Sequence, residues 1–234
     1  MTHLKRLIDL AVSVIALAIL SPLMLAIVIC LRLTGEGEIF YRQPRIGRGG
    51  TEFSILKFAT MLKDSPMMLG GDITTASDSR VLPVGRFLRS TKLNELPQLL
   101  NIVKGDMSLI GPRPLTKKVA AMFPDSYWKS VRHLAPGLSG VGSIIFRDEE
   151  VLLSGAPSRE QVYLEAIVPY KIALEEWYAA RQSTWLDLRL IFVTIAVVAI
   201  PSIDANHLLP DLPPVTGALD ELRRHAKSQQ FVRR

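Results

Sequence analysis

Apolar positions crowd two runs near the ends of the chain, with mixed patterns between them. Leu10 to Leu31 carries no charge at all. At about 1.5 Å per residue, a helix of that length reaches across a hydrocarbon core of roughly 30 Å. Ser21-Pro22 interrupts the run halfway, and an interior proline removes a hydrogen bond, so the spacing predicts a break there. Lys5 and Arg6 precede the run; Arg32, Arg42, Arg45 and Arg48 follow it. Cations flanking both ends pull both towards the cytoplasm. The pattern alone leaves two topologies, a spanning helix or a helix–break–helix that dips in and returns. A cleaved signal peptide fits less well, because the run is long and lacks a small-residue cleavage site.

Glu38 to Gln43 and Thr51 to Met61 alternate and favour strand residues around the turn-rich Pro44 to Gly50, which predicts a small β-hairpin with a basic tip. Asp64 to Ser79 reads as a loop. Leu93, Leu96, Leu99, Leu100 and Val103 recur at helical spacing. Pro97 is tolerated only in a first turn, which places an N-cap near Asn94 and a stop at Lys104-Gly105. Leu115 to Leu134 mixes apolar, aromatic and basic residues, so it suits a helix at a membrane interface or one packed on the domain's own core. Ser158 to Ala180 reads as a helix. Leu186 to Ile200 is apolar, but its uncharged part, from Leu190, covers about half a bilayer, so it is expected to pack on the domain or skim a surface. Ala218 to Arg224 is expected to form a short helix before a frayed end. The fold class is α+β, mostly helical with a small hairpin. The expected units are an apolar, membrane-directed segment over 1–33, a main domain over 34–203 and a tail over 204–234.

Composition narrows the partners. The 234 residues are 48% hydrophobic and carry a net charge of +6. An anionic membrane surface, a phosphorylated substrate or nucleic acid could answer that charge. The apolar ends and the absence of nucleic-acid motifs oppose the last. Cys30 is the only cysteine, so there is no internal disulfide, and no Cys/His cluster has zinc spacing.

The densest chemistry lies in Thr91 to Leu115, TKLNELPQLLNIVKGDMSLIGPRPL. A helix N-terminus near Asn94-Glu95 suits a phosphate. Arg89 precedes it, and Arg113 stands between two prolines that fix its backbone. From the residues alone, this is a capped helix followed by a proline turn.

The stretch resembles the signature of the bacterial sugar transferases, small monotopic phosphoglycosyl transferases whose usual text is close to S-L-D-E-L-P-Q-L-x-N-V-L-K-G-D-M-S-x-x-G-P-R-P-L. Further matches are the hairpin text around Arg45 and Lys57, and Pro136-Gly137-Leu138-Ser139-Gly140. Alanine stands where the family has lysine at position 59 and arginine at position 135. The resemblance covers most of Leu4 to Ile200. It implies a re-entrant anchor broken at Ser21-Pro22, on the cytoplasmic face of the bacterial inner membrane. It also implies transfer of a phosphosugar from a UDP-sugar to undecaprenyl phosphate with release of UMP, the first membrane step of glycan assembly. Implied partners are membrane lipids and downstream glycosyltransferases, with no nucleic acid.

In that family an Asp-Glu pair forms the covalent phosphosugar intermediate, and Mg²⁺ sits by the Asp. Position for position, the nucleophile and metal ligand fall on Asn94 and its acidic neighbour on Glu95. Arg89, Arg113, Arg147 and Lys57 match phosphate-binding cations. With asparagine at residue 94, the chain is expected to fold and bind but to turn over little. The rival expectation is a non-enzymatic membrane protein that keeps the fold to bind lipid, nucleotide or a partner.

Overall fold

The computed structural model describes residues 2–34, 36–65, 68, 78–147, 149–153, 158–200, 202–215 and 217–222. Most of the expected loop over 64–79 and the last twelve residues lie outside these.

The apolar run forms one long helix, α1 (His3–Leu33), capped by the Thr2 side chain, which accepts from Lys5 N. Among the described residues it is the one helix long and apolar enough to cross a membrane. The expected break at Ser21-Pro22 does not interrupt the helix, which continues through Pro22. Proline leaves the Ala18 carbonyl without its i+4 donor, and Ser21 Oγ donates to that same carbonyl at 2.9 Å. A serine beside the proline thus supplies the missing bond.

Both ends of α1 rest on the rest of the protein. Near the N-terminus, Lys5 donates to Ile110 O at 3.0 Å and pairs with Asp187 at 2.8 Å. Asp9 accepts from Ser108 Oγ and Leu109 N. Near the C-terminus, Ile27 and Leu31 pack with Phe58 and Leu88 in a small cluster of their own. Between the two, Ala18, Ile19 and Ser21 to Leu23 are exposed.

The hairpin is β1 (Phe40–Ile46) against β2 (Glu52–Phe58), antiparallel, with Phe40 opposite Phe58 and Ile46 opposite Glu52. Pro44 is tolerated because β1 is an edge strand. Then come α2 (Pro83–Ser90) and α3 (Gln98–Lys104), which Gly105 ends in a left-handed conformation, φ 102°. Asn101 pins α3 to the hairpin: its Oδ1 accepts from Leu56 N and its Nδ2 donates to Ser54 O.

A second sheet had no clear signal in the sequence. Strand β3 (Ser108–Ile110) pairs in parallel with β4 (Gly137–Ser139), across α4 (Lys117–Ala120) and α5 (Asp125–Val131). Phe123 and Tyr127 are buried in the main core, so the aromatic residues of this stretch serve packing rather than an interface. The loop after β3 crosses the one before β4 so closely that a Cβ at Gly111 would lie 2.2 Å from Ala135 O. Glycine is the residue that allows the crossing.

Helix α6 (Val141–Ile145) follows, then the short α7 (Glu149–Leu152) and α8 (Arg159–Val162). A wide π-helical turn over Tyr163–Ile167 leads into α9 (Val168–Arg181). Pro169 lacks the N–H that would continue regular bonding back into this turn. Helix α10 (Thr184–Ala199) buries Leu186, Leu190, Val193 and Val197 and exposes Trp185, Phe192, Ile195 and Val198. It thus packs on the domain with one face and leaves the other apolar face uncovered. After α11 (Ala205–Leu208) the chain still packs inward. Leu209 and Leu219 are buried, and Tyr170 Oη donates to Pro213 O at 2.8 Å.

Candidate active site

The residues singled out above meet where two cavities adjoin. Asn94 is not a helix cap. Helix α3 starts four residues later, because Pro97 has no N–H to give and only the residues after it join the regular ladder. Asn94 sits instead in a single 3-10 turn, Leu93–Glu95, entered through Lys92 in a left-handed conformation, φ 59°. At seven residues, α3 does not offer the helix-terminus phosphate site that the sequence suggested. What the turn offers is divergence. Three residues per turn set neighbouring side chains about 120° apart. Asn94 therefore lines one cavity while Glu95 lines the other.

The first cavity, of about 500 Å³, is polar and basic, opening between the hairpin and α2. Asn94, Lys57, Arg89, Arg45 and Arg113 are among its walls. The second, of about 490 Å³, is mostly apolar. Val12, Ala16 and Leu20 of α1 face Ile191, Ile195 and Val198 of α10 across it, and its polar end holds Glu95, Arg113 and Arg147. Arg113, Leu115, Glu149 and Lys171 line both.

Glu95 organises the cations. Its Oε1 lies 3.3 Å from Lys57 Nζ and 3.4 Å from Arg113 Nη2. Burial alone would raise its pKa, but Lys57 and Arg113 outweigh that and hold the carboxyl at about 2. Burial pushes Lys57 down to about 8 in spite of Glu95, with Arg113 and Arg45 adding to the fall. Arg113 is raised, with Glu95 the main cause. Arg113 is 45% exposed, so its guanidinium can reach a ligand as well as Glu95.

Asn94 is buried, and its Oδ1 has no hydrogen-bond partner. An orphaned buried acceptor costs free energy, which a ligand donor would recover. For a divalent cation the fit is poor. Asn94 supplies one neutral oxygen, and the adjacent Glu95 carboxylate is already neutralised by two cations. Hard cations of this kind are usually held by carboxylates together with substrate phosphate oxygens.

The structure brings together Lys57, Arg89, Asn94 and Arg113 at the basic cavity and Glu95, Arg113 and Arg147 at the apolar one. Arg147 Nη1 donates to Val197 O, tying α10 to the site. Its neighbour Asp148 lies outside the described residues. Ser21 and Pro22 line neither cavity.

Residue spacing in the sequence missed three acidic or basic groups. Lys171 and Glu149 form a pair at 2.6 Å. Glu175, one turn after Lys171 on α9, is fully enclosed. Burial pushes its carboxyl up to about 8, although the backbone N–H groups of Arg113 and Gly142 bond to it. Its Oε2 has no hydrogen-bond partner. The helical spacing of 171 and 175 was the available signal, but nothing marked that face as lining a site.

The sequence profile of the family described as bacterial sugar transferase matches residues 1–201. A UDP-N-acetylgalactosamine–undecaprenyl-phosphate N-acetylgalactosaminephosphotransferase of Aeromonas hydrophila is 33% identical, covering 83% of this chain and 43% of its own length. A UDP-glucose:undecaprenyl-phosphate glucose-1-phosphate transferase of Xanthomonas campestris pv. campestris is 36% identical, over 81% of this chain and 37% of the relative. A protein with the same activity name from Caulobacter vibrioides is 34% identical, over 82% of this chain and 68% of the relative. The chain thus spans about two fifths of the length of the first two. Matched over 201 of its 234 residues, the chain belongs to the bacterial sugar transferase family.

Proposed function

We propose that this chain carries the scaffold for moving a sugar phosphate from a UDP-sugar to undecaprenyl phosphate. It does so at the cytoplasmic face of the bacterial inner membrane, as the first membrane step of glycan assembly. The observation that carries this reading is the meeting of a basic cavity and an apolar one at residues 94, 95 and 113. The basic cavity suits a nucleotide diphosphate, and the apolar one suits a prenyl chain. The names of the relatives point to the same two substrates.

In the reaction an aspartate carboxylate at residue 94 attacks the β-phosphorus of the UDP-sugar. An oxygen–phosphorus bond forms and the bond to UMP breaks, leaving an acyl phosphosugar on the protein. A phosphate oxygen of the lipid then attacks the same phosphorus, and the carboxylate is released. Arg89, Lys57 and Arg113 hold the phosphates, Glu95 holds Lys57 and Arg113 in place, and Arg147 faces the lipid side. With asparagine at residue 94 the first bond does not form, because an amide oxygen is a poor nucleophile. The neutral side chain also leaves Mg²⁺ without its acidic ligand. The anchor, 1–33, is read as re-entrant through a bend at Ser21-Pro22 within the continuous helix, since both of its ends rest on the catalytic domain, 34–203. The exposed face of α10 lies at the membrane beside it, and residues 204–234 follow as a tail.

A second reading, a binding protein without catalysis, is favoured by Asn94 itself. Asn94→Asp separates the two, scored by UMP release from UDP-sugars with undecaprenyl phosphate and by a covalent adduct at residue 94. The transferase reading expects both to appear in the variant alone. Equal turnover in both forms would place the nucleophile elsewhere. Turnover in neither would leave the binding protein.

A further inference from the structure

Among the described residues, the cations that line both cavities are Arg113 and Lys171. Arg113 is drawn to Glu95, at 3.4 Å. Lys171 is set deeper, with its side chain 12% exposed. Its Nζ lies 2.6 Å from Glu149 Oε2, 4.9 Å from the centre of the Tyr163 ring and 5.3 Å from that of Phe146. The π-helical turn ahead of α9 widens the backbone where Tyr163 sits, eight residues before Lys171.

An amphiphilic phosphate ester that fills the apolar cavity cannot carry its charge into it, because an unpaired buried charge is too costly. Its phosphate must stop where the apolar cavity opens on the basic one, which is where Lys171 stands. The two aromatic rings stabilise the ammonium and Tyr163 Oη accepts from it at 3.4 Å, which leaves its Glu149 side to be exchanged. Glu149 faces the same two cavities and would repel an arriving phosphate as long as it keeps that place.

We propose that Lys171 binds the phosphate of the polyprenyl acceptor, exchanging Glu149 for it when the lipid arrives. The inference rests on the transferase reading above and assigns its acceptor side. Lys171 contributes through its ammonium, and Glu149 is the counterion that yields.

The test is equilibrium binding of undecaprenyl phosphate, undecaprenol and a UDP-sugar to the full chain in lipid nanodiscs. Lys171→Met is expected to weaken undecaprenyl phosphate about tenfold, as loss of a charge-assisted bond does. Undecaprenol binding stays unchanged, UDP-sugar binding falls clearly less than that of undecaprenyl phosphate, and Lys171→Arg recovers most of the loss. Glu149→Gln is expected to tighten undecaprenyl phosphate, since the competing carboxylate is gone. If Lys171→Met fails to fold, Glu149→Gln reads the same contact from the other side. Unchanged or weaker lipid-phosphate binding in Glu149→Gln overturns the proposal, because the pair is then a brace. Equal losses for undecaprenol or for the UDP-sugar in Lys171→Met also overturn it. UDP-sugar binding without discrimination between undecaprenyl phosphate and undecaprenol, in the unsubstituted chain, overturns this inference alone. Binding of neither substrate brings down the transferase reading and the inference with it.

Discussion

Arg113 touches Glu95, lines both cavities and has a half-exposed side chain. If it holds substrate phosphate, Arg113→Ala weakens UDP-sugar binding about tenfold or more, the size of a lost charged hydrogen bond, with little change in melting temperature. Calorimetric titration beside a thermal melt checks this. Unchanged affinity with a lower melting temperature would make the residue structural. Glu175 makes a different prediction. Its carboxyl titrates at about 8 in the folded protein, against an ordinary value of 4.5. Between those values the native state holds a proton that the unfolded chain has released. Its contribution to stability is therefore full below about pH 4.5 and is lost as the pH rises towards about 8. Glu175→Gln mimics the neutral form and keeps an acceptor for the Arg113 and Gly142 N–H groups. The variant is expected to melt like the parent at pH 5 and above it at pH 8. Melting curves at the two values check the sign.

Elements show what the sequence reveals and what it hides. Helix α1, the hairpin, α9 and α10 are all legible from apolar spacing, because each has a pattern longer than a turn. Asn94 was misplaced as a cap because propensity sees a good cap residue ahead of a proline. It does not see that Lys92 takes a left-handed conformation and starts a separate 3-10 turn. The β3–β4 pair was hidden for another reason. Three-residue strands carry too little alternation, and their partner lies some thirty residues away, so only the glycines at their crossing leave a trace. Arg89, Arg113 and Lys57 were legible through the family signature, whereas Lys171 and Glu149 sit in looser text. The attachment of α1 was also invisible, since Lys5 looks like a flanking cation and not like the buried partner of Asp187. Lys5→Met strands Asp187 in the core and is expected to destabilise the fold by about 3 kcal/mol. Lys5→Met with Asp187→Leu restores much of the loss, since no unpaired charge remains. Denaturant titration of the three variants measures the coupling.

At the scale of the whole molecule, the re-entrant reading is open to a direct check. Cysteines at Thr2, before α1, and at Gly49, on the hairpin tip, should react from the same side of sealed vesicles in a Cys30→Ser background. Labelling from opposite faces would mean that α1 spans. The contacts at the start of α1 also carry a consequence in time. Lys5 waits for Asp187, 182 residues further along the chain. At about 5–20 residues per second of synthesis, that is roughly ten to forty seconds. For most of that interval the apolar helix is complete while Asp187, the partner of Lys5, does not yet exist. Where α1 meets a bilayer, the unpaired Lys5 is then free to hold its end of the helix at the headgroups. If α1 enters a bilayer during synthesis, its orientation is set before the contact that ties Lys5 to the rest of the fold can form.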